Sequence, residues 1–219
     1  MKGQAFLLAS MLFISGCASI PTSATMSGNI PFADRSDGIP KHVGLYISPA
    51  SRAYVAKQFV RAIFGTSKEG TVFTLDLGQN LEANAKRALE KVFLSVTPIP
   101  TLDAGGGSYS HIVQVEIDER TSFDIGKFAF SQKTVTLFLQ CRLFDRQGSV
   151  LWQETFDSET SRSNVKGFLA GGGFLVGGIW GTYARQAGLD KLQEAAEESL
   201  WANLEMLNTR MVENRALFQ

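Results

Sequence analysis

Residues 133–156 read KTVTLFLQCRLFDRQGSVLWQETF, and the fold class follows from how this stretch is parsed. Leu137, Leu139, Cys141 and Leu143 fall on alternate positions, the period of a strand with one face turned inward. Asp145-Arg146-Gln147-Gly148 is a tight turn in which Gly148 can take positive φ without cost, and Ser149 to Phe156 returns as a second strand. The stretch is a β-hairpin, and the Cys141 thiol is expected to be buried and inert on its inner face.

Upstream of the hairpin, Tyr109 to Glu119 sets His111, Val113, Val115 and Ile117 against Ile112, Gln114, Glu116 and Asp118, another alternating strand. Nearer the amino terminus, His42 to Ile47 is a short apolar run closed by Ser48-Pro49, and Thr71 to Leu77 alternates as a half-buried strand that Gly78 ends. Ser51 to Phe64 is ambiguous: Tyr54, Val55, Phe59, Val60 and Ile63 nearly fit helical spacing, and a strand return is the alternative. Gln79 to Phe93 predicts an amphipathic helix with Leu81, Ala85, Ala88, Leu89 and Val92 inside. Pro98, Pro100 and Gly105-Gly106-Gly107 mark a loop. The last helix, about Leu189 to Val212, has an apolar stripe of Leu189, Leu192, Ala196, Leu200, Leu204, Leu207 and Met211, with Glu194, Glu197, Glu198 and Glu205 off it. This order predicts an α+β fold: a mostly antiparallel sheet with two amphipathic helices on one face, plus a Gly-rich apolar segment before the last helix. One domain, 42–219, accounts for all of it.

The amino-terminal part is of another kind. Lys2 supplies a positive charge, Ala5 to Ile14 is apolar over ten residues, and small residues follow. Ten residues are too few to span a hydrocarbon core as a helix, so residues 1–16 read as a leader. Ile14-Ser15-Gly16-Cys17 resembles the lipobox of bacterial lipoproteins. That resemblance implies lipidation of Cys17, cleavage before it and acylation of the new amino terminus. Ala18 follows where an Asp would resemble the inner-membrane retention signal, which implies the outer membrane, with the domain facing the periplasm. Residues 17–41, rich in Ser, Thr, Pro and Gly after the cysteine, are expected to be a flexible tether.

Leu143 to Trp152 is similar to the L-x-D-x-x-G-x-V-L-W hairpin of small envelope lipoproteins. With the lipobox and the two helices, the chain resembles a loose class of envelope lipoproteins: the lipopolysaccharide-assembly, exopolysaccharide-export and curli-secretion types. The resemblance implies an accessory or scaffold role in envelope assembly or export, without catalysis, with the membrane and other envelope proteins as partners. A carrier module whose apolar cleft takes a lipid or glycan is the alternative.

Gly167 to Ala184, GFLAGGGFLVGGIWGTYA, holds seven glycines and no charge in 18 residues. Gly173, Gly177 and Gly181 recur every four residues, as do Gly167 and Gly171. On a helix such rows let another backbone approach closely, and Trp180 would lie among the apolar residues covering the rest. Self-association into a homo-oligomer or membrane contact through the 167–187 insertion is one reading. The others are an apolar loop packed on its own domain, favoured by the helix penalty of about 1 kcal/mol per glycine, and a β-hairpin that pairs between subunits.

Positive and negative side chains balance at 21 each, so no charge excess points to nucleic acid. With Cys17 consumed by lipid, Cys141 has no partner for a disulfide. His42 and His111 both fall in predicted strands. No His, Cys, Asp and Glu spacing suits a metal, and no phosphate loop or nucleophile elbow occurs, so no cofactor is expected. Glu116 and Asp118 share a strand face and are the one candidate carboxylate pair, though a solvated face is the commoner reason for such residues.

Overall fold

The computed structural model describes residues 22–35, 37–61, 70–102, 109–126, 132–162 and 179–219, with backbone alone at 61, 70 and 179–187. Nine strands form two sheets among these residues: β1 (Ser23–Thr25), β2 (Ile39–Tyr46), β3 (Val55–Arg61), β4 (Gly70–Asp76), β5 (Phe93–Ile99), β6 (His111–Ile117), β7 (Ser122–Asp124), β8 (Lys133–Phe144) and β9 (Val150–Arg162). The helices are α1 (Pro49–Arg52), α2 (Leu81–Leu89) and α3 (Ile179–Glu213), and a 3-10 turn, Arg215–Phe218, closes the chain. The fold is α+β, as the pattern predicts.

The large sheet is built on β8. Its inward residues Val135, Leu137, Leu139, Cys141 and Leu143 are all fully buried, each one alternating with a partly exposed neighbour. Antiparallel pairing with β9 runs from Lys133↔Arg162 to Phe144↔Val150, so β9 continues six residues past the predicted Phe156. Gly148 takes φ 81° in the connecting turn, where Asp145 accepts from the backbone of Gln147 and Ser149. On its other side β8 meets β6 and then β7, both antiparallel. Next come β2 and β5, and here the pairings β2–β6 and β2–β5 are parallel. β5 replaces the predicted end of a helix and a loop. The helix stops at Leu89, and the Pro98 that signals a break sits in an edge strand opposite Leu45, the place in a sheet where proline is tolerated.

Helices α2 and α3 pack on the same face as the inward residues of β8. Asn203 donates to the Leu137 carbonyl at 2.9 Å, Ser199 to the Val135 carbonyl at 3.3 Å, and Asn208 joins the helices through the Ala88 carbonyl at 3.0 Å. Every residue of the predicted α3 stripe is buried. The helix starts ten residues before the predicted Leu189, so residues 179–187 of the expected insertion belong to it. Gly188, a poor helix former by itself, has a packing role. A Cβ there would lie 3.2 Å from Cε of Lys133, a lysine 2% exposed that donates to the Ile125 carbonyl.

The ambiguous segment resolves into α1 followed by β3. β3 pairs antiparallel with β4, and β1 pairs parallel with β4, giving a second, three-stranded sheet. β1 corrects the expectation of a flexible tether. Ala24, Met26 and Ile30 are buried in the common core, and the segment is pinned by Asn80, Asn84 and Glu197. A composition poor in periodicity still orders when each of its few apolar residues finds a pocket and its backbone finds partners.

Candidate functional site

The amino-terminal segment is where the sequence places its strongest functional signal. Cys17 itself lies outside the described residues, and the chain from Thr22 to Ile30 is docked on the domain at Ala24, Met26 and Ile30. Thr22 accepts the Thr74 N–H at 2.8 Å, and Met26 donates to Asp76 at 3.3 Å, bracketing β1. Beyond it the chain crosses α2 and α3. Asn80 donates to the Met26 carbonyl at 2.6 Å, Asn84 bonds both Ser27 and Ile30, and Glu197 accepts the Ser27 N–H at 2.8 Å. Arg87 reaches Asn29, and Lys91 pairs with Asp34 at 2.5 Å. That ammonium holds the Asp34 carboxyl below its ordinary value.

Of the glycine-row residues, Trp180 and Gly181 fall within the backbone of α3. Gly167, Gly171, Gly173 and Gly177 lie outside the described residues. Among the described residues, no helix is long and apolar enough to cross a membrane.

The candidate acid–base groups are held in structural contacts. Asp118 leaves the end of β6 and is gripped by Arg120 through Nε at 2.8 Å and Nη2 at 3.0 Å. Hydrogen bonds from the Arg120 side chain and backbone keep its carboxyl below the usual range. The same guanidinium lies 4.6 Å from the centroid of the Phe138 ring. Glu116 lies within β6, and Asp118 just past its end. His42 contacts Ser95 across the β2–β5 pair, Nδ1 to Oγ at 2.5 Å. His111 is half-buried with its ring edge-on to Phe218, centroids 5.0 Å apart, and burial lowers its pKa. Cys141 is fully buried, and desolvation pushes its thiol well above its ordinary value, as an inert core cysteine requires. Among the described residues, no group of three or more His, Cys, Asp and Glu side chains could hold a metal ion.

Sequence reasoning missed two features. One is the set of polar side chains, Asn80, Asn84 and Glu197, that receive the amino-terminal segment. The other is an exposed apolar pair, Phe59 and Val72, on the outer face of the three-stranded sheet. The segment Ser51 to Phe64 fits helix and strand alike, so its pattern does not fix the side on which Phe59 lies.

No protein-family model matches the chain, and no curated protein matches it in sequence. Several solved structures resemble it in shape. Protein XCC0632 from Xanthomonas campestris is 13% identical, with 89% of this chain and 99% of that one covered at a TM-score of 0.46. A minor lipoprotein from Acinetobacter baumannii is 13% identical over 81% of this chain and 95% of its own, TM-score 0.40. PelC from Paraburkholderia phytofirmans, crystallised as a dodecamer, is 12% identical over 76% and 92%, TM-score 0.33. At these identities and TM-scores none of them carries an argument about role.

Proposed function

We propose that the protein is a lipid-anchored accessory of the bacterial envelope, acylated at Cys17 and held on the outer membrane with its domain facing the periplasm. It acts by binding other envelope proteins and not by catalysis. The observation that carries this reading is Ile14-Ser15-Gly16-Cys17 directly after a positively charged, apolar leader. Several acyl chains together hold a protein stably on a bilayer, where one alone would exchange. The reading is supported by Thr22, which is already bonded to β4, so the cysteine is covalently close to a folded body.

A non-catalytic role accords with the uses its reactive side chains are put to. Asp118 is neutralised by Arg120, Cys141 is sealed in the core, and His111 packs on Phe218. Self-association through the glycine rows belongs to the same proposal. Gly177→Leu is expected to weaken cross-linking between copies, while Val176→Leu leaves it unchanged. Density-gradient fractionation tests the whole reading. The full chain is expected in the outer-membrane fraction, its domain digested by protease only after the outer membrane is opened. Recovery in the cytoplasmic fraction would refute it.

A further inference from the structure

The three-stranded sheet has one face in the core and one face outward. Ala24, Ala56, Phe73 and Leu75 occupy the inner face. On the outer face Phe59 of β3 and Val72 of β4 stand directly opposite each other in register, 58% and 49% exposed. Val55 continues the same face, and the exposed Lys57 lies between Val55 and Phe59. With Val55, this cross-strand Phe–Val pair gives the face an exposed apolar strip, a surface that lipid or a partner can cover.

The route of the chain says which. β1 runs parallel to β4, pairing first at Ser23↔Thr74, so it enters the sheet from the end where β4 begins. Phe59 and Val72 are at that end. Val72 is two residues, about 7 Å, from Thr74 along the strand. Thr22 is five positions beyond Cys17, and that length of chain spans at most about 18 Å. An acylated Cys17 sits at the lipid headgroups, so the entry end of this sheet is confined to within one short stretch of chain from the bilayer.

We propose that the outer face of the three-stranded sheet docks on the lipid surface to which Cys17 is anchored. Phe59 and Val72 enter the boundary between headgroups and acyl chains, and Lys57 lies level with the phosphates. The inference rests on acylation of Cys17 and adds a second contact that orients the domain. Amphipathic helices with an apolar face flanked by lysine bind at that depth, and the same partition of apolar and cationic groups is available to this sheet face.

The test uses the full acylated chain in phosphatidylethanolamine–phosphatidylglycerol vesicles. An environment-sensitive fluorophore is placed at Phe59→Cys or Val72→Cys, with Val150→Cys, on the β8–β9 hairpin, as reference. Cys141 is buried and stays unlabelled. Intact mass of each sample reports whether Cys17 is acylated. The expected result is a blue shift and quenching by nitroxide-labelled lipid at 59 and 72, with neither at 150. Acylated protein whose 59 and 72 probes are as aqueous as 150 overturns the docking and leaves the anchor standing. Probes that shift without lipid quenching are covered by protein, a second copy or a partner, which also overturns it. An unacylated Cys17 overturns the anchor reading, and this inference falls with it.

Discussion

Asn84, wholly buried in α2, holds the backbone of Ile30 from 54 positions away: its Oδ1 accepts the Ile30 N–H at 3.2 Å. Its Nδ2 donates to the Ser27 carbonyl at 2.8 Å, so one side chain satisfies two backbone groups of the amino-terminal segment. Asn84→Ala leaves both without partners. The expected cost is about 2–3 kcal/mol, since an orphaned buried polar group costs far more than a net hydrogen bond yields. Urea unfolding measures it, and hydrogen exchange at residues 22–31 is expected to rise before the rest of the domain opens. Unchanged protection of that segment would mean Asn84 does not hold it.

Glu197 serves the same segment from α3, accepting from Ser27 at 2.8 Å and from Gln193 at 2.8 Å. Glu194, one turn earlier, is exposed and pairs only locally with Lys191. Glu197→Ala is therefore expected to cost about 1 kcal/mol. Glu194→Ala should cost under about 0.5 kcal/mol, in line with a surface ion pair. Equal midpoints for the two variants in urea would contradict the docking of Ser27 on α3.

Leu200 and Leu204 are fully buried against the sheet. Leu200→Asp places an unpaired carboxylate there, and a loss on the order of 4 kcal/mol is expected. Met206→Asp, on an exposed position of the same helix, should be tolerated. Thermal unfolding of the two variants separates them, and similar midpoints would refute the packing of α3.

His111 is expected to make the stability of the fold depend on pH. Burial lowers its pKa below the ordinary 6.5, outweighing the opposite pull of its hydrogen bond with the Leu217 backbone. The folded state therefore prefers the neutral ring. Its contribution is complete above pH 6.5 and declines as pH falls from there to the lower folded value. Below that it levels off. Wild-type stability should drop as pH falls through this window, and His111→Gln should flatten that part of the curve. A wild type and variant with the same slope would assign the dependence to other groups.

The strand period makes β8 legible to the residue, because one face is dry and the other is not. The α3 stripe is legible for the same reason. What the sequence hides has three physical causes. β5 carries Pro98, which argues against a strand unless the strand is an edge, and edges are a property of the finished sheet. The parallel pairing of β2 with β5 and β6 depends on contacts distant in sequence, with no local signature. Ser199, Asn203 and Asn208 look like breaks in an apolar face, yet each is buried and donates to a backbone carbonyl. The anchor signal is fully local. The apolar pair at Phe59 and Val72 is not, since its register needs both strands in place. Residues 22–35 mislead because composition reports the average of a segment, whereas its docking rests on a few residues, Met26 and Ile30 foremost.

Acylation of Cys17 is tested most directly by metabolic labelling with palmitate. Cells expressing the full chain or Cys17→Ser are fed labelled palmitate, and the protein is recovered by an affinity tag at its carboxyl end. Label is expected in the wild type and none in Cys17→Ser, with slower migration of an uncleaved leader in the variant. Label that persists in Cys17→Ser, with unchanged processing and membrane recovery, would contradict it.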